Sequence, residues 1–226
     1  MSTDETAPAP VAEEGDSTRR AGCTKTPKFK IEKTKLLLVE GKDEDLFFTS
    51  ALEKHLGIGS IQVLPLAGKE QLSRNLAALK RDPKFVEVTS LAVIRDADTA
   101  ADAAFQSVCG ALRRHDFMPP DAHAAFSSGW PRAGIFIMPD GQRNGMLETL
   151  CMDSVAGSVE AGCLRYYFNC LGAQGVNPRP FDKAHAQAWR ASRPQPDKRV
   201  GEAAAAGYWP FNSAAFDSLW NFIRST

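Results

Sequence analysis

Lys35-Leu-Leu-Leu-Val39 followed at once by Glu40-Gly-Lys-Asp-Glu-Asp45 is the stretch from which the fold can be read. An uninterrupted apolar run of this length has no polar face. That is the pattern of a strand covered on both sides, as in a parallel sheet. The polar stretch that follows ends it. Leu46, Phe47, Ala51, Leu52 and Leu56 then keep helical spacing until Gly57 and Gly59 stop the run.

The same alternation continues downstream. Ile61-Gln-Val-Leu-Pro-Leu66 reads as a second strand, and Gly68 as a turn. Leu72, Leu76 and Leu79 read as a helix broken at Asp82-Pro83. Val88 to Ile94 is a third strand, and Ala103, Ala104, Val108 and Leu112 mark the helix after it. Past a Pro-, His- and Ser-rich connection between Phe117 and Trp130, Gly134-Ile-Phe-Ile-Met138 is a fourth strand. Two further helices are expected, one from Met146 to Val155 and one from Val159 to Leu171. Strand and helix in regular succession predict right-handed crossovers and a mostly parallel sheet between helical layers, a three-layer α/β fold.

Residues 1–33 read as a disordered N-terminal tail, first acidic and then basic, with little to bury. Residues 34–226 are expected to form one domain, with a core over 34–150 and an α-rich extension over 151–226. The extension carries Phe181, Trp189, Tyr208, Trp209, Phe211, Phe216, Trp220 and Phe222, too much apolar surface to leave solvated, so it should pack back on the core. No internal repeat is present.

Composition narrows the function. The chain has 226 residues, 43% hydrophobic and 24% charged, with Lys+Arg and Asp+Glu at 27 each. A neutral molecule exerts no long-range pull on nucleic acid, so such contact requires a local basic patch. No run of about 18 apolar residues and no secretory signal is seen, which makes the cytoplasm the expected compartment. Five cysteines without a C-x-x-C pair fit reduced thiols and exclude a zinc finger. Cys163 and Cys170, two turns apart on one helix, are expected to be buried.

Chemistry in open α/β sheets gathers where the strands' carboxyl ends meet. Glu40 directly follows the first strand, Asp96 and Asp98 the third, and Glu148 stands just after the fourth. Carboxylates collected at one edge repel one another, and a hard divalent cation is the usual reason to assemble them. Taken singly, each reads first as a helix cap at a βα turn, and only their spacing together favours a cation. Lys42, Lys69 and Arg95 stand close enough to strand ends to meet a phosphate. Arg179, Lys183, Arg190, Arg193, Lys198 and Arg199, interleaved with His185 and Trp189, form the best local patch for a nucleic-acid backbone, although a solvated helix face would read the same way.

Leu36-Leu-Leu-Val-Glu40-Gly41-Lys42-Asp43-Glu44, with Ala92-Val-Ile-Arg-Asp96-Ala-Asp98 further on, resembles the Toprim fold of topoisomerases, primases and overcoming-lysogenization-defect nucleases. It is more narrowly similar to small stand-alone Toprim-like proteins. Gly134-Ile-Phe-Ile-Met-Pro-Asp140 and Gly145-Met-Leu-Glu148 extend the resemblance, which covers Lys35 to Leu150 and, more weakly, Ala191 to Phe222. It implies a nuclease acting on DNA or RNA, with Glu40, Asp96 and Asp98 holding Mg²⁺ or Mn²⁺ and Glu148 as a fourth catalytic carboxylate. Lys42, Lys69, Arg95 and Arg193 would meet the nucleic acid. Glu40 has the alternative role of general base.

The three tyrosines lie in the C-terminal part, in no topoisomerase context. Gly68-Lys69 is no Walker A loop, since Val63 and Glu70 stand where that motif needs Gly and Ser or Thr. ATP hydrolysis, which the related nucleases carry in a fused domain, would then need a separate ATPase partner. Other copies of the chain are the remaining partner to test. By family analogy alone, the setting is defence against phage. Two rival readings stand beside this one: a non-catalytic Toprim-like scaffold or sensor, and a haloacid-dehalogenase-like phosphatase with Asp96 as nucleophile and Asp98 as acid/base. The second leaves Glu40 and the first two strands without a purpose.

Overall fold

The computed structural model describes residues 30–226. Its centre is a four-stranded, all-parallel sheet of β1 (Lys35–Val39), β2 (Ile61–Pro65), β3 (Ser90–Asp96) and β4 (Arg132–Met138), in the order β2-β1-β3-β4. The chain leaves β1 toward β2 on one side and then returns across it to build β3 and β4 on the other. Right-handed crossovers in opposite directions put their helices on opposite faces. Helix α1 (Lys42–Ala51) lies on one face, and α2 (Leu72–Lys80) and α3 (Ala101–Arg114) lie on the other.

The strands serve both layers by alternation. Leu37, Val39, Ala92, Ile94, Phe136 and Met138 point into the core beneath α1, whereas Leu36, Leu38, Leu91, Val93, Ile135 and Ile137 point toward α2 and α3. This accounts for the unbroken apolar runs. Helix α1 continues through a π turn over Leu52–Leu56 and stops at Gly57, whose φ of 64° is the left-handed conformation of a helix cap.

The chain beyond β4 is helical: α4 (Leu147–Ser154), α5 (Val159–Ala173), α6 (Phe181–Arg190), α7 (Val200–Ala205) and α8 (Asp217–Arg224). Helices α4 and α6 to α8 bury apolar residues in the α1 layer, Leu147 and Leu150 from α4, Trp189 from α6, Val200 and Ala203 from α7, and Trp220 and Phe222 from α8. Phe47 of α1 stacks with Trp220 at 6.3 Å between ring centroids and meets Phe211 edge-on at 5.4 Å. Trp189 stacks on Trp209 at 4.7 Å, and the Trp209 and Trp220 indole N–H groups donate to the carbonyls of Val200 and Phe211.

Helix α7 lies directly against α1. A Cβ on Gly201 would run into the carbonyl oxygen of Asp43 and the side chain of Leu46. Alanine improves helix propensity by about 1 kcal/mol, but overpacking a close contact costs about 1–3 kcal/mol. The clash is with a backbone oxygen, which cannot rotate away, so the cost lies toward the upper end of that range and Gly201→Ala is expected to lower stability by about 1–2 kcal/mol net, read as a lower urea midpoint. An unchanged or higher midpoint would show that the two helices separate freely.

Two expectations need correction. Helix α5 is the outermost element and buries only Ala161, so Cys163 and Cys170 are exposed. The segment read as a tail lies outside the described residues up to position 29. Its last four residues are anchored, not free: Ile31 is buried in the α2–α3 layer, and the Glu32 and Lys33 amides donate to the Gln62 side chain, while Lys30, Glu32 and Lys33 stay exposed. Among the described residues no helix is long and apolar enough to cross a membrane.

Candidate metal centre

Strands β1 and β3 are neighbours at the point where the strand order reverses, and the crevice beyond their carboxyl ends is where parallel sheets of this order bind ligands. Glu40 follows the last residue of β1, and Asp96 is the last residue of β3. The Asp96 amide donates to Glu40 Oε1 at 3.3 Å, which ties the two strand ends together. Arg95 Nε stands 3.8 Å from the same oxygen, and its Nη1 donates to Ser107 of α3.

Asp96 is 8% exposed, and its Oδ1 accepts from the amide of Leu147, the first residue of α4. The capping role that any acidic residue can play at a helix start is thus filled here, and it also brings Glu148 alongside. Asp98 has φ 52°, a left-handed conformation that Asp tolerates. It is held there by reciprocal 2.9 Å backbone bonds with Gly145. Its Oδ2 receives the Lys69 ammonium at 2.5 Å.

Burial pushes the Glu40 carboxyl above the usual carboxylate range; Arg95 and the Asp96 amide oppose this, and the charges of Asp98 and Glu44 add to it. Asp96 is raised well above that range, first by burial and then by repulsion from Glu40, Glu44 and Glu148. Glu148 is also raised by burial, with Lys183 and Arg190 pulling the other way. The four expected carboxylates thus share one electrostatic cluster, and it contains a fifth, Glu44, from the first turn of α1. Glu44 stands four residues after Glu40, in the same polar stretch that closes β1 and opens α1. Among the described residues no three Asp, Glu, His or Cys side chains stand placed to hold one metal ion together.

The pH dependence follows from Asp96. Its folded pKa is raised, so its contribution to stability is fully present below the unfolded pKa and is lost as pH rises through the folded one. Asp96→Asn is therefore expected to raise the Tm of metal-free protein at pH 8 by about 2–4 °C or more. The gain should shrink toward pH 4. A Tm lowered equally across the range would mean the carboxylate stabilises the fold as a cap more than its burial costs.

The basic residues divide. Lys69 and Arg95 reach the cluster through Asp98 and Glu40. Lys42 opens α1, exposed, with no ion pair to a described residue. Arg193 does not touch the cluster: it pairs with Glu160 and stacks over Trp189, 4.3 Å from the ring centroid. From the same stretch it is Lys183 and Arg190, on α6, whose charges act on Glu148. The Cys151 thiol lies in this region too, but burial pushes it well above its usual range, which leaves it inert.

Fold and cluster together define an α/β protein with carboxylates gathered at its topological switch point. Residues 34–226 match the model of the family described as "Protein of unknown function (DUF3226)", and the chain belongs to that family. No curated protein matches the sequence. Among solved structures it is similar to the C-terminal region of the Xanthomonas campestris pv. campestris OLD protein phased with mercury, at 13% identity and a TM-score of 0.37, covering 86% of this chain and 98% of that one. The same region phased with platinum gives 14% identity and a TM-score of 0.36 with equal coverage. Likeness of this size assigns no residue a role.

Proposed function

We propose that this protein is a divalent-metal-dependent nuclease with a Toprim-like site, in which Glu40, Asp96 and Asp98 hold Mg²⁺ or Mn²⁺ and Glu148 completes the acidic set. The observation that carries the reading is the Glu40–Asp96 pair. The two are joined by the Asp96 amide at the switch point, and each is pushed toward its protonated form by burial and by its neighbours' charges.

The donor set is all oxygen, as a hard cation requires, and among the described residues the cluster's five carboxylates outnumber the two cations paired with them, Lys69 and Arg95. When bound, such an ion would activate water for attack on a phosphodiester and neutralise charge on the leaving oxygen. The chain's own residues do the rest. The Leu147 amide orients the Asp96 carboxylate, and Arg95 keeps Glu40 beside it. In the alternative to metal ligation, a Glu40 carboxyl with a raised pKa would accept the proton of an attacking water at Oε2, since Oε1 already accepts the Asp96 amide. Lys42 and Lys69 supply positive charge at the crevice, and Lys183 and Arg190 extend it along α6, where a nucleic-acid backbone would run.

Two observations favour the rival scaffold reading: Asp98 is already neutralised by Lys69, and Asp96 already caps α4. Purified protein incubated with supercoiled plasmid, linear duplex, single strands and RNA, in Mg²⁺, Mn²⁺ or EDTA, separates the two. Cleavage of at least one substrate class in metal and none in EDTA is expected. Intact substrates in every metal, with properly folded protein, would leave the scaffold.

A further inference from the structure

Resting on that reading, we propose that Lys69 is the resident counter-cation of the acidic cluster, and that a divalent ion binds only by displacing its ammonium from Asp98. Exposed lysines usually sample many positions, but this one is aimed from both ends. The loop after β2 is pinned to the end of β1: the Leu66 amide donates to the Val39 carbonyl and the Gly68 amide to the Glu40 carbonyl, each at 2.8 Å. Ala67 and Gly68, at φ 59° and 111°, turn the chain there, and Lys69 follows on the short turn into α2. From this anchor beside Glu40 the side chain spans the end of β1 to reach Asp98. Asp98 is itself fixed in its left-handed conformation by the two bonds to Gly145.

An ammonium among carboxylates is a compact point charge. It stands on an oxygen that an incoming ion needs, so it competes with that ion for the same negative charge. The pair is partly exposed, with side chains 43% and 39% accessible. Such pairs are worth up to about 1 kcal/mol, and that sets the scale of the competition at about five-fold in affinity. It also makes the competition salt-dependent.

The test is Mn²⁺ binding by calorimetry at low and high salt for the wild type, Lys69→Met and Lys69→Arg. Lys69→Met is expected to bind about five-fold more tightly than the wild type at low salt, with the gap narrowing as salt rises. Lys69→Arg, which keeps the charge, should bind close to the wild type. Equal or weaker binding by Lys69→Met, while the wild type binds, would overturn the counter-cation and leave the metal site standing. Absence of binding in all three would overturn both. The substituted side chain is exposed, and circular dichroism of each variant checks that the fold is retained.

Discussion

Asp96→Asn is expected to lower divalent-dependent cleavage by about a thousand-fold with the fold intact. Asparagine keeps an oxygen where Asp96 Oδ1 accepts the Leu147 amide, so the start of α4 stays capped, and the change removes only the charge. A metal's contribution to a phosphoryl transition state is several kcal/mol, and each 1.36 kcal/mol is a factor of ten in rate. Losing a central charge therefore costs orders of magnitude. Glu40→Gln should behave alike, since the amide oxygen can still accept from the Asp96 N–H. Asp98→Asn should cost less, because it also releases Lys69. Initial rates on whichever substrate the wild type cuts, alongside the near-ultraviolet dichroism of each variant, provide the check. Retention of the full rate in both Asp96→Asn and Glu40→Gln would remove these carboxylates from the chemistry. Combined with the Tm gain expected for metal-free Asp96→Asn, the loss would mark Asp96 as a residue kept for activity at the expense of stability.

The largest effect on stability is expected at Trp220. Its indole is 1% exposed, stacks on Phe47 and Phe216, meets Phe211 edge-on and donates to the Phe211 carbonyl. Truncating a buried tryptophan costs about 3–5 kcal/mol, a large share of the 5–15 kcal/mol that holds a typical domain. Trp220→Ala should shift the urea midpoint strongly downward at an unchanged slope. Because Phe47 is on α1, the helix that carries Glu44, cleavage should also lose heat resistance. A loss below about 1 kcal/mol would mean that α8 is not part of the cooperative core.

The strands were legible in the sequence because both faces of this sheet are covered. Leu36–Val39, Leu91–Ile94 and Ile135–Met138 have no solvent side, so their apolar runs are unbroken. Glu40 and Asp96 were legible for the same reason, each standing where such a run ends. The order β2-β1-β3-β4 was not, because parallel strands covered on both faces look alike in sequence and their order depends on which helix fits which layer. Lys183 and Arg190 were hidden among other basic residues until the packing of α6 beside α4 set their charges against Glu148. Arg193 reads as the same kind of residue, yet Trp189 and Glu160 hold it elsewhere. Cys163 and Cys170 misled because α5 is apolar enough to read as buried and yet sits on the outside.

The proposed site requires that the carboxylates at the switch point bind a divalent ion. Electron paramagnetic resonance of Mn²⁺ titrated with the protein tests it without reference to substrate or partner. The wild type is expected to deplete the free-ion signal at a saturable site, Mg²⁺ to compete for it, and Asp96→Asn at matched concentration to leave the signal free. A wild-type titration indistinguishable from Asp96→Asn would contradict the proposed site and leave Glu40 and Asp96 as structural residues at a helix start.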